Sequence, residues 1–568
     1  MEHQFHQIIN ALANYYEHRV SIIENVISKI SFVSKLTSIK ENNLIISGKV
    51  EISFEELHTP LDFEFKIYPQ YPLKSYDSES IKFYNKNLIK YNHIMTDGAI
   101  CIHTSFHTNL ERKIVIDFSS LKYWIIKYYI NKDNDEKYEH ITFSKEPIND
   151  KYYSYIFTDL LHNFSKNDFG KVQIASLNNG LYNEKLTNNF ILQNCITANN
   201  ERIECQWSSP YKDNTNSSSG FYIFIQEHPA KYQSVIFENW LEFNNLFPEN
   251  FIRLLFQFQE EKLEKSKGSL IPLFIGYNTI GNEIHWQVAM LEIGKFPIEK
   301  SYLMKNRLYF EIEKMIDQKI NWAITYNSSY HYFFGRGILD DRLINGKILI
   351  IGVGAIGSII AKTLVRGGVK DISLADYDIK EPDNVCRSEY FFNLGLNSKV
   401  HELAQVLTSI SPFVNIDTFK NESFESIIKT FYKEPKANHD FVTLLNEFNI
   451  VFDCTTDNNL MYILNTLELN CDLINISITN KANNLVCAFY PNIFNFVTTQ
   501  FENVLVNDVT DLYEPTGCWS PTFKASYNDI NVLVQTAIMH INKLYQSENN
   551  KNNFIVTPNN LGVEIVEY

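Results

Sequence analysis

Three glycines, Gly352, Gly354 and Gly357, fall at G-x-G-x-x-G spacing at the end of the apolar run ILII and at the start of a helical pattern. Such a turn lets backbone N–H groups approach a phosphate, and the positive end of the following helix favours negative charge. Asp376 ends the next apolar strand, where a carboxylate can accept from ribose hydroxyls. These four residues suit NAD or ATP equally well. Farther on stand Asn384, Arg387 and Lys399, a polar and cationic series that a dehydrogenase does not need. An enzyme directing attack on the α-phosphate of ATP does need it, to offset charge as pyrophosphate leaves. A thiol adds a second kind of chemistry. Cys518 lies in EPTGCWSPTF, a Gly- and Pro-bearing loop context in which a thiolate could take an acyl group from an adenylate. Cys386, two residues beyond Asn384, is its competitor, whereas Cys454 and Cys471 read as buried strand or turn residues.

The elements that must position these groups are legible in the periodicity. Residues 346–378 read as strand, glycine turn, helix and second strand, a βαβ unit, and 448–460 as a further strand running out into Asp457 and Asn458. At the other end of the chain, apolar residues at three-to-four spacing predict a helix over 8–30. Short alternating segments at 44–54, 62–69 and 80–85 predict strands, an irregular loop follows at 91–103, and a helix is expected over 114–131. The stretch 166–330 yields strands at GFYIFIQ, LIPLFIGYN and IHWQVAMLEIG and a charged helix end or linker at 259–268, but no assignable chemistry.

Composition bounds the rest. At about 150 residues per domain, the 568 residues correspond to roughly two to four domains. A net charge of −15 argues against a phosphate-neutralising surface and so against nucleic acid as the main ligand. Eight cysteines are too sparse for a disulfide scaffold, and the polar N-terminal segment does not resemble a signal peptide, so reduced thiols in the cytoplasm are expected. The longest uncharged apolar stretch, Ile348 to Ala361, has 14 residues, short of the roughly 18 to 20 a membrane span requires, so no membrane segment is expected. Cys101, His103 and His107 lack an evident fourth partner for a closed zinc site, and neither histidine receives a role.

The C-terminal pattern resembles the ThiF/MoeB adenylation domains shared with ubiquitin-activating enzymes: a glycine turn, D-x-D at Asp376 and Asp378, N-x-x-R at Asn384 and Arg387, then Lys399. The resemblance implies ATP, and magnesium held by a carboxylate of a D-C-T-D-N segment. Here that segment reads DCTTDN, with one extra Thr, which leaves the register open between Asp453 and Asp457; Asp457, beyond the strand, is the choice. It also implies a homodimer in which an arginine, Arg336 or Arg342, reaches the partner's triphosphate, and, in thioester-forming members, a cysteine after the adenylation fold, where Cys518 stands.

The N-terminal region, with a helix, a meander, Y-P-x-Y-P and then H-x-x-x-D-G-x-I-C, resembles the ubiquitin-conjugating fold, in which Cys101 would hold a thioester. Tyr91, Asn92 and His93 replace the family's H-P-N, and His93 stands where an oxyanion donor is expected. The order of the parts resembles the fused conjugation enzymes of bacterial CBASS antiphage operons. The expected architecture is therefore α/β and α+β multidomain: a ubiquitin-conjugating-like domain at 1–165, a mixed connector at 166–330 and a Rossmann-like adenylation domain at 331–568. The expected function is adenylation of a partner protein's C-terminus, the partner being a cyclic-oligonucleotide synthase, its carriage on Cys518 and Cys101, and transfer to a target lysine. Alternatives are a separate ubiquitin-like modifier as cargo, an NAD-dependent oxidoreductase, and a non-catalytic scaffold.

Overall fold

In a computed structural model, the described residues are 18–75, 78–95, 97–133, 146–213, 217–227, 229, 236–279, 283–305, 308–419, 423–504, 524–547 and 551–568. The chain packs as two compact units. One comprises Met1–Phe157, His162–Ile203 and Ser217–Asn327, the other Thr158–Leu161, Glu204–Asn216 and Ser328–Tyr568.

The first unit begins with helix α1 (18–28), the described part of the expected N-terminal helix. A four-stranded antiparallel meander follows: β1 (Val33–Asn42), β2 (Ile45–Ile52), β3 (Leu61–Ile67) and β4 (Ile81–Tyr84), in that spatial order. β2 and β3 alternate buried and exposed residues, as a half-buried sheet requires. The sequence does not announce β1, because VSKLTSIKEN is an edge strand exposed along most of its length. Helix α2 (Leu110–Trp124) continues as a π-turn to Ile130. Its buried face, Ile114, Phe118, Leu121 and Trp124, closes a core with Ile23, Ile27, Phe63, Phe65 and Phe83.

The remainder of this unit is a mixed sheet with its own aromatic core. The strands expected at GFYIFIQ, LIPLFIGYN and IHWQVAMLEIG appear at Ser217–Gln226, Leu270–Asn278 and Ile284–Glu292, and the charged stretch at 259–268 largely forms the C-terminal half of the helix Glu249–Ser266.

The second unit is built on an eight-stranded sheet. Its strands are β5 (Lys347–Ile351), β6 (Asp371–Ala375), β7 (Asn415–Phe419), β8 (Ile450–Asp453), β9 (Asp472–Ile478), β10 (Leu485–Phe489), β11 (Phe554–Asn559) and β12 (Gly562–Glu567). The spatial order is β7-β6-β5-β8-β9-β10-β11-β12, parallel from β7 to β9 and antiparallel thereafter. Helices α3 (Ala355–Arg366), α4 (Lys399–Ile410), α5 (Asn458–Thr466), α6 (Ile493–Val504) and α7 (Tyr527–Gln546) are among those that pack on it. Two cores, one holding α3 and α7 and the other α5 and α6, bury β5, β8 and β9 on both faces, which is why these read as largely apolar runs, whereas the edge strand β7 stays partly exposed. No described helix is long and apolar enough to cross a membrane.

Candidate active site

The register of the parallel strands sets the site. Ile351 pairs with Ala375 on one side and with Asp453 on the other. The glycine turn, Asp376 and the turn after Asp453 therefore leave the sheet at the same carboxyl edge. The chain moves from β5 to β6 on one side and returns to β8 on the other, so this edge is a topological switch point, where open α/β sheets bind ligands.

Each glycine has a different reason to be there. Gly352 has φ 79°, a left-handed conformation that a side chain disfavours. Gly357 lies in the first turn of α3, and a Cβ on it would stand 2.0 Å from the Gly352 carbonyl oxygen. Gly354 caps α3 and meets nothing within 4 Å, which leaves open space at the helix N-terminus. Asp376 holds the turn in place: its Oδ2 accepts from the Val353 N–H at 2.8 Å, and its Oδ1 from the Asp378 N–H at 2.9 Å. Each oxygen keeps a lone pair for a further donor. The Tyr390 hydroxyl donates to the Val353 carbonyl at 2.5 Å, so the peptides on both sides of Val353 are held.

The cationic series comes from one loop. Lys399, at the start of α4 and 9% exposed, donates to Asp378 at 2.6 Å, so the second acid of the D-x-D pairs with the distant lysine. Asn384, the third residue of the short helix Pro382–Cys386, accepts from the N–H of its N-cap Glu381 at 3.1 Å, and Arg387 caps the other end. Beneath the loop lies a buried ion pair that the sequence did not reveal. Lys380, 2% exposed, reaches Glu402 at 2.7 Å and the Phe391 carbonyl at 2.7 Å, while Glu402 accepts from the Phe391 N–H. Cys386 is exposed, its sulfur 3.0 Å from the Asp383 carbonyl.

The two acids of DCTTDN have distinct environments. Asp453 is 1% exposed and accepts from the Thr455 N–H, the Thr455 hydroxyl and the Asn475 amide; burial pushes its carboxyl above the ordinary value against those bonds. Asp457 is half-buried and caps α5 through Oδ1 alone, accepting from Asn459 and Leu460, while Oδ2 makes no hydrogen bond among the described residues. The extra residue is absorbed by Thr456 at φ 56°, an uncommon conformation for a β-branched side chain. A pocket of about 350 Å³ opens beside this turn, lined by Thr456, Asn458, Ser477, Val497, Thr498, Phe501 and Glu502. Among the described residues no group of three or more His, Cys, Asp or Glu side chains could hold a metal. A single free carboxylate oxygen fits magnesium, which is commonly held by one or two carboxylates with phosphate and water completing its shell.

Arg342 pairs with Asp340 at 3.2 Å and lies over the Tyr545 ring. It precedes β5, so it stands at the opposite edge of the sheet from the glycine turn of its own chain. Arg336 is exposed. Cys454, Cys471 and Cys487 are buried, and burial raises all three thiols, Cys471 to about 11. Cys518 lies outside the described residues.

In the first unit, Cys101 is half-buried at the end of a short hairpin. Its N–H donates to the His93 carbonyl at 2.7 Å, and Ile100 donates to Phe83 of β4 at 2.7 Å. His93 has φ 61° and packs its ring on Tyr128 at 4.6 Å between centroids. A histidine without a role in the sequence reading stands beside the sulfur: His103 Nε2 is 3.7 Å from Cys101 Sγ. The available signal was C-x-H in an extended segment, since residues two apart share a face.

Just beyond, Thr104 is held on every polar atom. Its N–H donates to Glu79 at 2.9 Å, its carbonyl accepts from Lys74 at 3.0 Å, and its hydroxyl lies 2.5 Å from Lys113 Nζ. Lys113, 1% exposed, also pairs with Asp117 at 2.5 Å and Glu79 at 3.2 Å, and Asp117 accepts from the Tyr71 hydroxyl at 2.8 Å.

Fold and site together define the second unit as a Rossmann-like α/β domain of the adenylation type, with a glycine turn for phosphate and an acidic turn beside it. Residues 329–478 match the ThiF family. Among curated proteins, the ATP-dependent ubiquitin transferase-like protein Cap2 of Enterobacter hormaechei subsp. hoffmannii is 26% identical over 291 residues, 47% of this chain and 46% of that protein. The molybdopterin-synthase adenylyltransferase of Haemophilus influenzae is 27% identical over 144 residues, 25% of this chain and 53% of its own. The chain thus spans about half the length of the curated relatives it matches. Among solved structures, E. coli MccB with ATP aligns with a TM-score of 0.29 at 16% identity, covering 40% of this chain and 64% of that one.

Proposed function

We propose that this protein is an ATP-dependent conjugation enzyme that activates the C-terminus of a partner protein and transfers it to a lysine. What supports the reading is the meeting, at one sheet edge of a ThiF-matching domain, of the glycine turn, Asp376, the Lys399–Asp378 pair and the uncommitted oxygen of Asp457. The parts at 1–165, 166–330 and 331–568 serve as conjugating domain, connector and activating domain.

In this reading the partner's terminal carboxylate attacks the α-phosphate of ATP, an O–P bond forms and pyrophosphate leaves. Gly352, Gly354 and Gly357 keep the turn open to phosphate, Asp376 accepts from ribose, Asn384 shapes the loop, and Arg387 and Lys399 offset the departing charge. Asp457 would hold Mg2+, which supplies further charge neutralisation at the phosphates. The pocket beside Asp457, with Val497 and Phe501 on one side, suits the partner's incoming C-terminal segment. Cys518 then attacks the acyl adenylate and AMP leaves. Exchange to Cys101 follows, with His93 as oxyanion donor, and a target lysine completes an isopeptide bond.

The enzyme acts as a cytoplasmic homodimer. Arg336 is assigned to the partner's triphosphate in preference to Arg342, which is held by Asp340 and Tyr545. Resemblance to the CBASS enzymes supports a cyclic-oligonucleotide synthase as the cargo, and the Cap2 relative, an ATP-dependent ubiquitin transferase-like protein, supports the conjugation chemistry.

The test is adduct trapping on Cys101 in cells of the source organism, followed by mass spectrometry. Cys518→Ala should form adenylate but load nothing onto Cys101, and Cys101→Ala should load Cys518 without conjugate. Nicotinamide binding with no ATP-dependent adduct would overturn the reading in favour of an oxidoreductase.

A further inference from the structure

His103 is exposed, two residues from Cys101 in an extended segment, with Nε2 3.7 Å from the sulfur. The segment is fixed on both sides. Before it, Cys101 is tied to His93 and Ile100 to Phe83. After it, Thr104 is bound by Glu79, Lys74 and Lys113. Holding these two ends keeps the chain extended between them, so the side chains at 101 and 103 face the same way. Four charged side chains gathered under one threonine are a costly way to hold a loop, since each charge gives up hydration. Their common effect is to aim His103 at the thiol.

We propose that His103 is the general base of the conjugating unit, removing the proton from the amine that attacks the acyl group on Cys101. The inference rests on the reading of Cys101 as an acyl carrier. The amine nitrogen forms a bond to the thioester carbonyl carbon, and His103 Nε2 takes a proton from that nitrogen. The tetrahedral adduct collapses, the C–S bond breaks, and the departing sulfur receives the proton back from the imidazolium. Thioester and amine become amide and thiol, and no other reactant enters. A neutral imidazole ring has one nitrogen able to accept, and Nε2 stands 3.7 Å from the sulfur that carries the acyl group.

The experiment uses the full chain carrying Cys386→Ser and Cys518→Ala, loaded at Cys101 from a fluorescent peptide thioester of mercaptoethanesulfonate. Single-turnover discharge is followed with free lysine and with hydroxylamine, whose nitrogen is already neutral at pH 7. Adding His103→Gln should leave loading unchanged and slow discharge to lysine on the order of a hundredfold, the low end of general-base effects. Discharge to hydroxylamine should stay within about twofold, because that nucleophile has less need of a base. Imidazole should restore part of the lysine rate to His103→Ala. Equal lysine rates in His103→Gln and its parent would overturn the proposal while leaving Cys101 a carrier, and so would an equal loss with both nucleophiles. Failure of the parent to load Cys101 would overturn the carrier reading and this proposal with it.

Discussion

Gly357→Ala measures how far the glycine turn depends on close backbone approach. The added Cβ would stand 2.0 Å from the Gly352 carbonyl oxygen and 3.0 Å from its carbon. Neither atom belongs to a flexible side chain, so the turn itself has to open by about an ångström to reach an ordinary contact distance. The Val353 N–H, now 2.8 Å from Asp376, would then be pulled beyond hydrogen-bond range. Overpacking costs about 1–3 kcal/mol and a lost hydrogen bond to a charged group about 1.5–3 kcal/mol. Together they lower the unfolding temperature of the second unit by roughly 5–25 °C at about 2–4 °C per kcal/mol. Gly354→Ala is the control, because its Cβ meets nothing: the unliganded protein should keep its unfolding temperature, while the methyl narrows the approach for phosphate. Differential scanning fluorimetry without nucleotide, then with Mg-ATP, separates the two effects. An unliganded Gly357→Ala protein that melts with the wild type and binds ATP equally well would refute the reasoning.

The acidic turn offers a similar separation. Asp457→Asn should preserve the cap on α5, since Asn caps as well as Asp, but lose magnesium-dependent ATP binding in calorimetry; Asp457→Ala should in addition lose about 1 kcal/mol of stability. Lys113→Met leaves Asp117 and Glu79 buried without their shared cation, and chemical denaturation of the first unit should show a loss of about 3–5 kcal/mol. The same cluster predicts a pH dependence. Burial opposes the Glu79 charge, but hydrogen bonds from Lys74, the Thr104 N–H and Lys113 outweigh it and hold its carboxyl below the ordinary 4.5. Its contribution is therefore complete above about pH 4.5 and is lost as the pH falls through the lowered folded value, so Glu79→Gln should flatten that part of the stability profile. Asp117, raised by burial, acts with the opposite sign, and Asp117→Asn should steepen the acid limb.

The sequence by itself determined the parts whose signal is local. The βαβ unit, the glycine spacing and three of the four strands of the first meander are set by short-range periodicity and by backbone conformations that few residues adopt, and they appear where the pattern predicts them. The match of 329–478 to the ThiF family bears out the resemblance read from the D-x-D, N-x-x-R and Lys399 spacing. Tertiary structure decided everything that depends on distant residues meeting. β1 is mostly polar and its apolar residues recur every third position rather than alternating, so only pairing with β2 makes it a strand. Asp453 and Asp457 look alike in the sequence, but strand register buries the first among donors and leaves the second an uncommitted oxygen. Arg336 and Arg342 were equivalent until packing against Asp340 and Tyr545 engaged one of them. His103 had no distinguishing neighbour until Glu79, Lys74 and Lys113, all remote in sequence or on another element, converged on Thr104 and turned the histidine toward Cys101. A spacing can specify a turn, because a turn is closed by its own backbone. Which of two like side chains is held, and which is left able to react, depends on burial and partners supplied from elsewhere in the fold.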